Sequence, residues 1–333
     1  MPPETPPSTT PPSSFPAPTF SSVKNVRDLS SVPGSPILPN RLYRAGMPSD
    51  SCASDVSLLT AQPPLGLGVT TLIDLRSATE LAADPRLSTS PAYSPYTSIK
   101  WSSKRTLRES LPPRLKIPDP SLPRLDRATG LPRRERHFVS LMDEKRYVAG
   151  TLQRLTKTSL AKLAAAAPGA IVSRRARARG KKVFLDRINN GGLPLLNDLI
   201  LQMAAKGIRY VLELCADPSR HPVAFYCTAG KDRTGIVAAV ILAYLGTPAE
   251  AVVGDYSLSD GVYKEMGDDS AMVGALKQRD LDPDVFLKAP PEVMRQTLRE
   301  IGEHYGSVEA YLDFIGFGEE DRQRLRKALV EER

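Results

Sequence analysis

The chain has 333 residues and a net charge of +8, with 41% hydrophobic and 25% charged residues. That length holds one large domain or two small ones, and the composition is that of a globular chain able to bury a sizeable core. Three cysteines exclude a disulfide framework, no stretch nears the ~20 apolar residues that span a bilayer, and the first residues lack the charged-then-apolar pattern of a secretory signal. The odd thiol count and these exclusions predict a reducing, cytoplasmic setting. The positive charge favours anionic partners such as phosphates, acidic lipids or nucleic acid, without choosing among them.

In chain order, residues 1–19 are rich in Pro, Ser and Thr and hold little that could be buried. They are expected to form a disordered tail ahead of one domain at 20–333. The segments 25–29 and 41–45, separated by a Pro/Gly-rich stretch, are expected to pair as an edge hairpin. A short helix is expected to open with Ser54 as its N-cap and Asp55 in its first turn. The run 69–75 is nearly all apolar or β-branched, as suits a parallel strand buried on both faces. Asp74 lies near its end, where ligand sites form in parallel sheets. Residues 103–136 read as a long basic, proline-rich loop, and 137–163 as a helix interrupted at Gly150. An apolar and then strongly basic stretch at 158–182 follows. It admits three uses: a mobile lid or membrane-surface helix, a nuclear localisation patch, or a solvated insertion. Helices are expected at 193–205 and 208–214, a strand at 223–226, and helices at 234–245, 248–257, 291–304, 307–314 and 319–331.

The most informative segment is the strand 223–226 followed by Cys227-Thr228-Ala229-Gly230-Lys231-Asp232-Arg233-Thr234-Gly235 and a helix. A turn opening a helix aims backbone N–H groups at one point and adds the positive end of the helix dipole, so Thr228, Ala229, Gly230 and Lys231 are placed to line a phosphate cradle. The same field favours thiolate over thiol at Cys227, the candidate nucleophile. Arg233 can grip two phosphate oxygens as a planar fork, which a lysine cannot. Gly230 permits the turn, and the Thr234 hydroxyl is placed to hydrogen-bond the sulfur. Lys231 either binds a second substrate phosphate or simply adds positive potential. A leaving alkoxide needs a proton, and two carboxyls compete as its source, Asp232 in the loop and Asp74 on the strand. Asp74 has a rival structural reading, pairing with Arg76 or capping the next helix.

This loop resembles that of the atypical tyrosine phosphatases with an HCxxGKDRTG signature. The resemblance extends to Asn25–Leu29, Leu42–Gly46, Ile73–Ser77 with Glu80, Asp255-Tyr256 with Leu258-Ser259, and the stretch 294–312. It implies an α/β phosphatase fold with a central, largely parallel sheet and a helical C-terminal part. It also implies a cysteinyl-phosphate mechanism with Asp232 as general acid, and phosphorylated proteins or phosphoinositides as partners. Related enzymes carry helical lids near the site, which bears on 158–182. One position departs from the pattern, Tyr226 standing where the family has histidine, and this keeps an inactive phosphate-binding module as the alternative. The chemistry calls for no cofactor. His137, His221 and His304 are scattered, so no metal site is expected, and nucleic-acid binding lacks a stacking platform.

Overall fold

Strands apolar on both sides must be covered on both faces, and here they form the centre of the molecule. The computed structural model describes residues 19–101, 133–170, 174–265, 273 and 282–332. Within these, β1 (Arg27–Asp28), β2 (Leu42–Ala45), β3 (Thr71–Asp74), β4 (Thr97–Lys100), β5 (Glu135–Phe138) and β6 (Val223–Tyr226) build one sheet in the order β1-β2-β6-β3-β5-β4. β1 pairs antiparallel with β2, as the expected hairpin; the other neighbours are parallel. The fold is therefore the anticipated α/β arrangement, a mostly parallel sheet flanked by helices.

Alternation along the strands divides the core in two. Leu42, Ile73, Val223 and Phe225 face a large cluster with Ile208, Val211, Val237, Ile241 and Met294. Tyr43, Leu72, Ala224 and Tyr226 face a smaller one with Leu59, Val69, Tyr93 and Tyr96. The helix after the loop that Cys227 opens, Asp232–Leu245, is buried almost all round, as its apolar composition requires, and ends at Gly246 in the left-handed conformation (φ 93°). The amphipathic helix Ala205–Cys215 covers the same side of the sheet. The C-terminal helices Ala249–Ser257, Pro291–Tyr305, Val308–Phe314 and Glu319–Val330 lie where their caps and periodicity predict.

Three expectations are corrected, and one strand was not anticipated. The stretch 135–138 is a strand rather than loop and helix, and β4 was not foreseen. Both are four-residue edge-side strands rich in polar residues, whose pairing only the sheet supplies. Residues 103–132 of the expected loop lie outside the described residues, as does the tail 1–18. Gly150 does not break its helix but lies within Glu144–Gln153, where a Cβ would stand 2.5 Å from Leu199 Cδ2; the break falls after it, before Lys157–Ala170. The helix at 53–60 is N-capped by Cys52 rather than Ser54, and Asp55 in its first turn binds the amides of Ser21, Ser22 and Val23 at 2.8, 2.6 and 3.2 Å. The basic run at 174–182 enters a long helix, Arg174–Met203, bent at Gly192. No helix among the described residues is long and apolar enough to cross a membrane.

Candidate active site

All parallel strands end on one side of the sheet, and the loop 227–235 leaves from there, between β2 and β3. Cys227, the residue after β6, is 3% exposed and continues the alternation onto the large-core face. The helix Asp232–Leu245 starts five residues later, so its first amides, which have no intrahelical acceptor, face the loop.

The loop's carbonyls are held from outside. Thr228 O accepts from the Met47 amide at 3.0 Å. Asn25 Nδ2 donates to Ala229 O and Gly230 O, both at 2.9 Å, and Arg44 Nη2 donates to Gly230 O at 2.7 Å. A peptide whose oxygen is drawn outward turns its N–H inward, so these clamps prepare an anion cradle. Arg44 and Arg27 share the buried Asp255 carboxylate, and Ser259 completes the set. Burial alone would raise the Asp255 carboxyl, but the Arg44 and Arg27 charges outweigh it and hold it below its ordinary value. Gly230 takes φ +67°, and a Cβ there would lie 2.2 Å from Ala45 O. Gly230→Ala should therefore lose about 1–3 kcal/mol to backbone strain alone, visible as a lowered urea midpoint, with the steric clash adding to it.

Arg233 meets Glu80 in a two-pronged ion pair, Nη1–Oε2 at 2.5 Å and Nη2–Oε1 at 2.6 Å. Thr228 Oγ1 donates to Glu80 Oε1 at 2.7 Å. Burial pushes the Glu80 carboxyl up, but the Arg233 charge and hydrogen bonds pull it well below the usual carboxylate range. Thr234 Oγ1 is buried with no hydrogen-bond partner among the described residues, so the expected hydrogen bond to the Cys227 sulfur is not formed here.

The remaining candidates fall differently. Asp232 opens the helix, 19% exposed, with Oδ1 3.5 Å from Lys231 Nζ. Lys231 is buried, and its ammonium donates to Phe286 O at 2.7 Å and Lys288 O at 2.8 Å. It ties the loop to the segment 286–288, so a second substrate phosphate would have to draw it away from two carbonyls. Asp74 is fully buried on the small-core face, the opposite face from Cys227. It accepts from Arg76 Nη2 (2.9 Å), Arg136 Nη2 (2.7 Å) and the Tyr226 hydroxyl (2.9 Å), which is the structural reading extended to a second arginine. Tyr226 shares that face, so the departure from histidine points away from the sulfur. Burial, aided by Asp74, raises its phenol well above the ordinary value and keeps it a donor. Arg136 donates from Nε to the same hydroxyl at 3.0 Å and lies 3.2 Å over the Tyr93 ring. All three cysteines are free, and Cys215 is buried in its helix, its thiol pushed up by burial.

The sequence reading assigned no site role to Glu80, Asn25, Arg44 or Asp255. Glu80 could have been found from Ser77-x-x-Glu80, a capping box that the structure confirms and that places the carboxylate at a strand end. The Asn25–Arg44–Asp255 clamp spans more than two hundred residues and has no local signal.

The Mycobacterium tuberculosis (strain ATCC 25618 / H37Rv) "Triple specificity protein phosphatase PtpB" is 32% identical over 139 residues, 38% of this chain and 50% of that protein. The Nostoc commune "Tyrosine-protein phosphatase" is 33% identical over 121 residues, 32% of this chain and 38% of that protein. The chain thus matches half or less of the length of these curated relatives. A family model described as "Tyrosine phosphatase family" matches residues 18–331, nearly end to end, and the chain belongs to that family.

Proposed function

We propose that this chain hydrolyses phosphate monoesters through a phosphocysteine. The Cys227 thiolate attacks phosphorus in line, the S–P bond forms, and the P–O bond to the leaving group breaks as Asp232 gives that oxygen its proton. Water then attacks phosphorus, passing a proton to the Asp232 carboxylate, and the S–P bond breaks to release inorganic phosphate and the thiolate. Arg233 and the loop amides hold the three peripheral oxygens throughout. The observation that carries this reading is the outward clamping of the Thr228, Ala229 and Gly230 carbonyls beside a nearly buried cysteine and an already oriented arginine.

Substrates are proposed to be phosphotyrosine, with phosphoserine, phosphothreonine and phosphoinositides as further classes. The name of the mycobacterial relative supports breadth. The loop grips the phosphoryl group, which all these substrates share. The segment 158–182 is proposed as the surface that meets a lipid-borne substrate. Acid quenching during turnover of an aryl phosphate should leave phosphate on Cys227, located by mass spectrometry, and a chelator should not slow the reaction. A panel of phosphopeptides and phosphoinositide vesicles ranks the substrates. Absence of turnover on every member would refute the proposal.

A further inference from the structure

We infer, resting on the phosphatase reading above, that this site reads one phosphoryl group, Lys231 being a structural cation that fastens the segment 286–289 to the loop and is not offered to a second phosphate. The substrate class is then an isolated phosphate monoester, whether carried by a tyrosine or by an inositol ring. An ammonium has three N–H donors and no acceptor. The Lys231 side chain is 1% exposed, and its donors face Phe286 O at 2.7 Å, Lys288 O at 2.8 Å and Asp232 Oδ1 at 3.5 Å. Arg233 differs. It pairs with Glu80 yet stays 15% exposed, and its five donors outnumber the two oxygens of that carboxylate. Three donors facing two carbonyls and a carboxylate leave no such surplus.

The segment that Lys231 holds has a second anchor. Asp260 Oδ1 accepts from the Ala289 amide at 2.7 Å, and Ala289 is 1% exposed. Asp260 follows Ser259, whose hydroxyl accepts from Asn25 and Arg44, the two residues that hold the Ala229 and Gly230 carbonyls. The contacts close a ring. It runs from the loop to Asn25 and Arg44, on to Ser259 and Asp260, across to Ala289, and through Lys288 O back to Lys231. Turning the ammonium toward substrate would break two charge-assisted hydrogen bonds and open that ring. One new contact to a phosphate replaces those bonds without surplus, so a neighbouring phosphate gains nothing from Lys231.

The experiment compares kcat/KM for dioctanoyl phosphatidylinositol monophosphate and trisphosphate, both water-soluble so that membrane contact plays no part, with para-nitrophenyl phosphate as the aryl reference. Wild type should favour the trisphosphate over the monophosphate by less than about fivefold, because a direct charge-assisted contact to an added phosphate gives roughly tenfold or more. Lys231→Met keeps the side chain's length and removes its charge. It should lower the urea midpoint and reduce kcat/KM for all three substrates alike, holding the trisphosphate-to-monophosphate ratio within about fivefold of wild type. A larger wild-type preference for the trisphosphate overturns the single-phosphate reading, whether or not Lys231→Met abolishes it. A larger fall of the ratio in Lys231→Met overturns it as well, and an unchanged urea midpoint overturns the structural role of the lysine. If Lys231→Met does not fold, that role stands, and the wild-type ratio decides the rest. If wild type turns over none of the three, the phosphatase reading falls instead. Calorimetric binding of the two lipids to wild type then decides by the same fivefold limit.

Discussion

Cys227→Ser removes phosphate release from an aryl phosphate, by on the order of 10⁶-fold in kcat, the scale seen when a covalent nucleophile is deleted. The reason is ionisation. Attack on phosphorus needs an anionic nucleophile, and a serine hydroxyl offers no such anion at neutral pH. The replacement is nearly isosteric at a 3%-exposed position, and every clamp on the loop comes from other residues, so the cradle survives. Inorganic phosphate should therefore bind the variant about as well as wild type, followed by 31P NMR line broadening. Residual turnover above a thousandth of wild type, with the folded state intact, would mean that some other group attacks phosphorus.

The two carboxyls proposed for proton transfer separate by opposite signatures. Asp74→Asn should cost about 3–5 kcal/mol of stability, because it takes the negative charge from between two guanidiniums that are almost fully buried. The surviving folded enzyme should show the same dependence on leaving group as wild type. Asp232→Asn should lower the denaturation midpoint far less, since the side chain, though 3.5 Å from the buried Lys231 ammonium, is partly exposed at a helix start. Its kcat should fall by roughly 10²–10⁴-fold for phenyl or alkyl phosphates and far less for para-nitrophenyl phosphate, whose leaving group needs little protonation. The reverse pattern, a leaving-group effect at Asp74 and a stability loss at Asp232, would move the acid onto the strand. Urea titration and a series of substituted phenyl phosphates measure both.

How far the residues alone carry differs between elements. The strand before Cys227, the loop and the helix after it are contiguous, and each is specified by its own composition: apolar β-formers, then a glycine-bearing polar turn, then an apolar run without proline. The polar strands 97–100 and 135–138 are short and lack a period of their own, so pairing of 135–138 with β3, and of 97–100 with 135–138, had to supply them. Lys231 shows the same limit within the site. Its position beside the cradle is legible, whereas its direction depends on two carbonyls more than fifty residues away.

Family, α/β class and the spacing from Cys227 to Arg233 were legible in the sequence itself, because they depend on order along a single turn and on local secondary-structure preference. Tertiary structure alone decided which carboxylates serve which cation. Glu80 went to Arg233, Asp255 to Arg27 and Arg44, and Asp74 to Arg76, Arg136 and the Tyr226 hydroxyl. A buried charge must find its partner across the sheet, and that choice is made by the face on which each side chain emerges, which for Asp74 and Tyr226 is the face turned away from the sulfur.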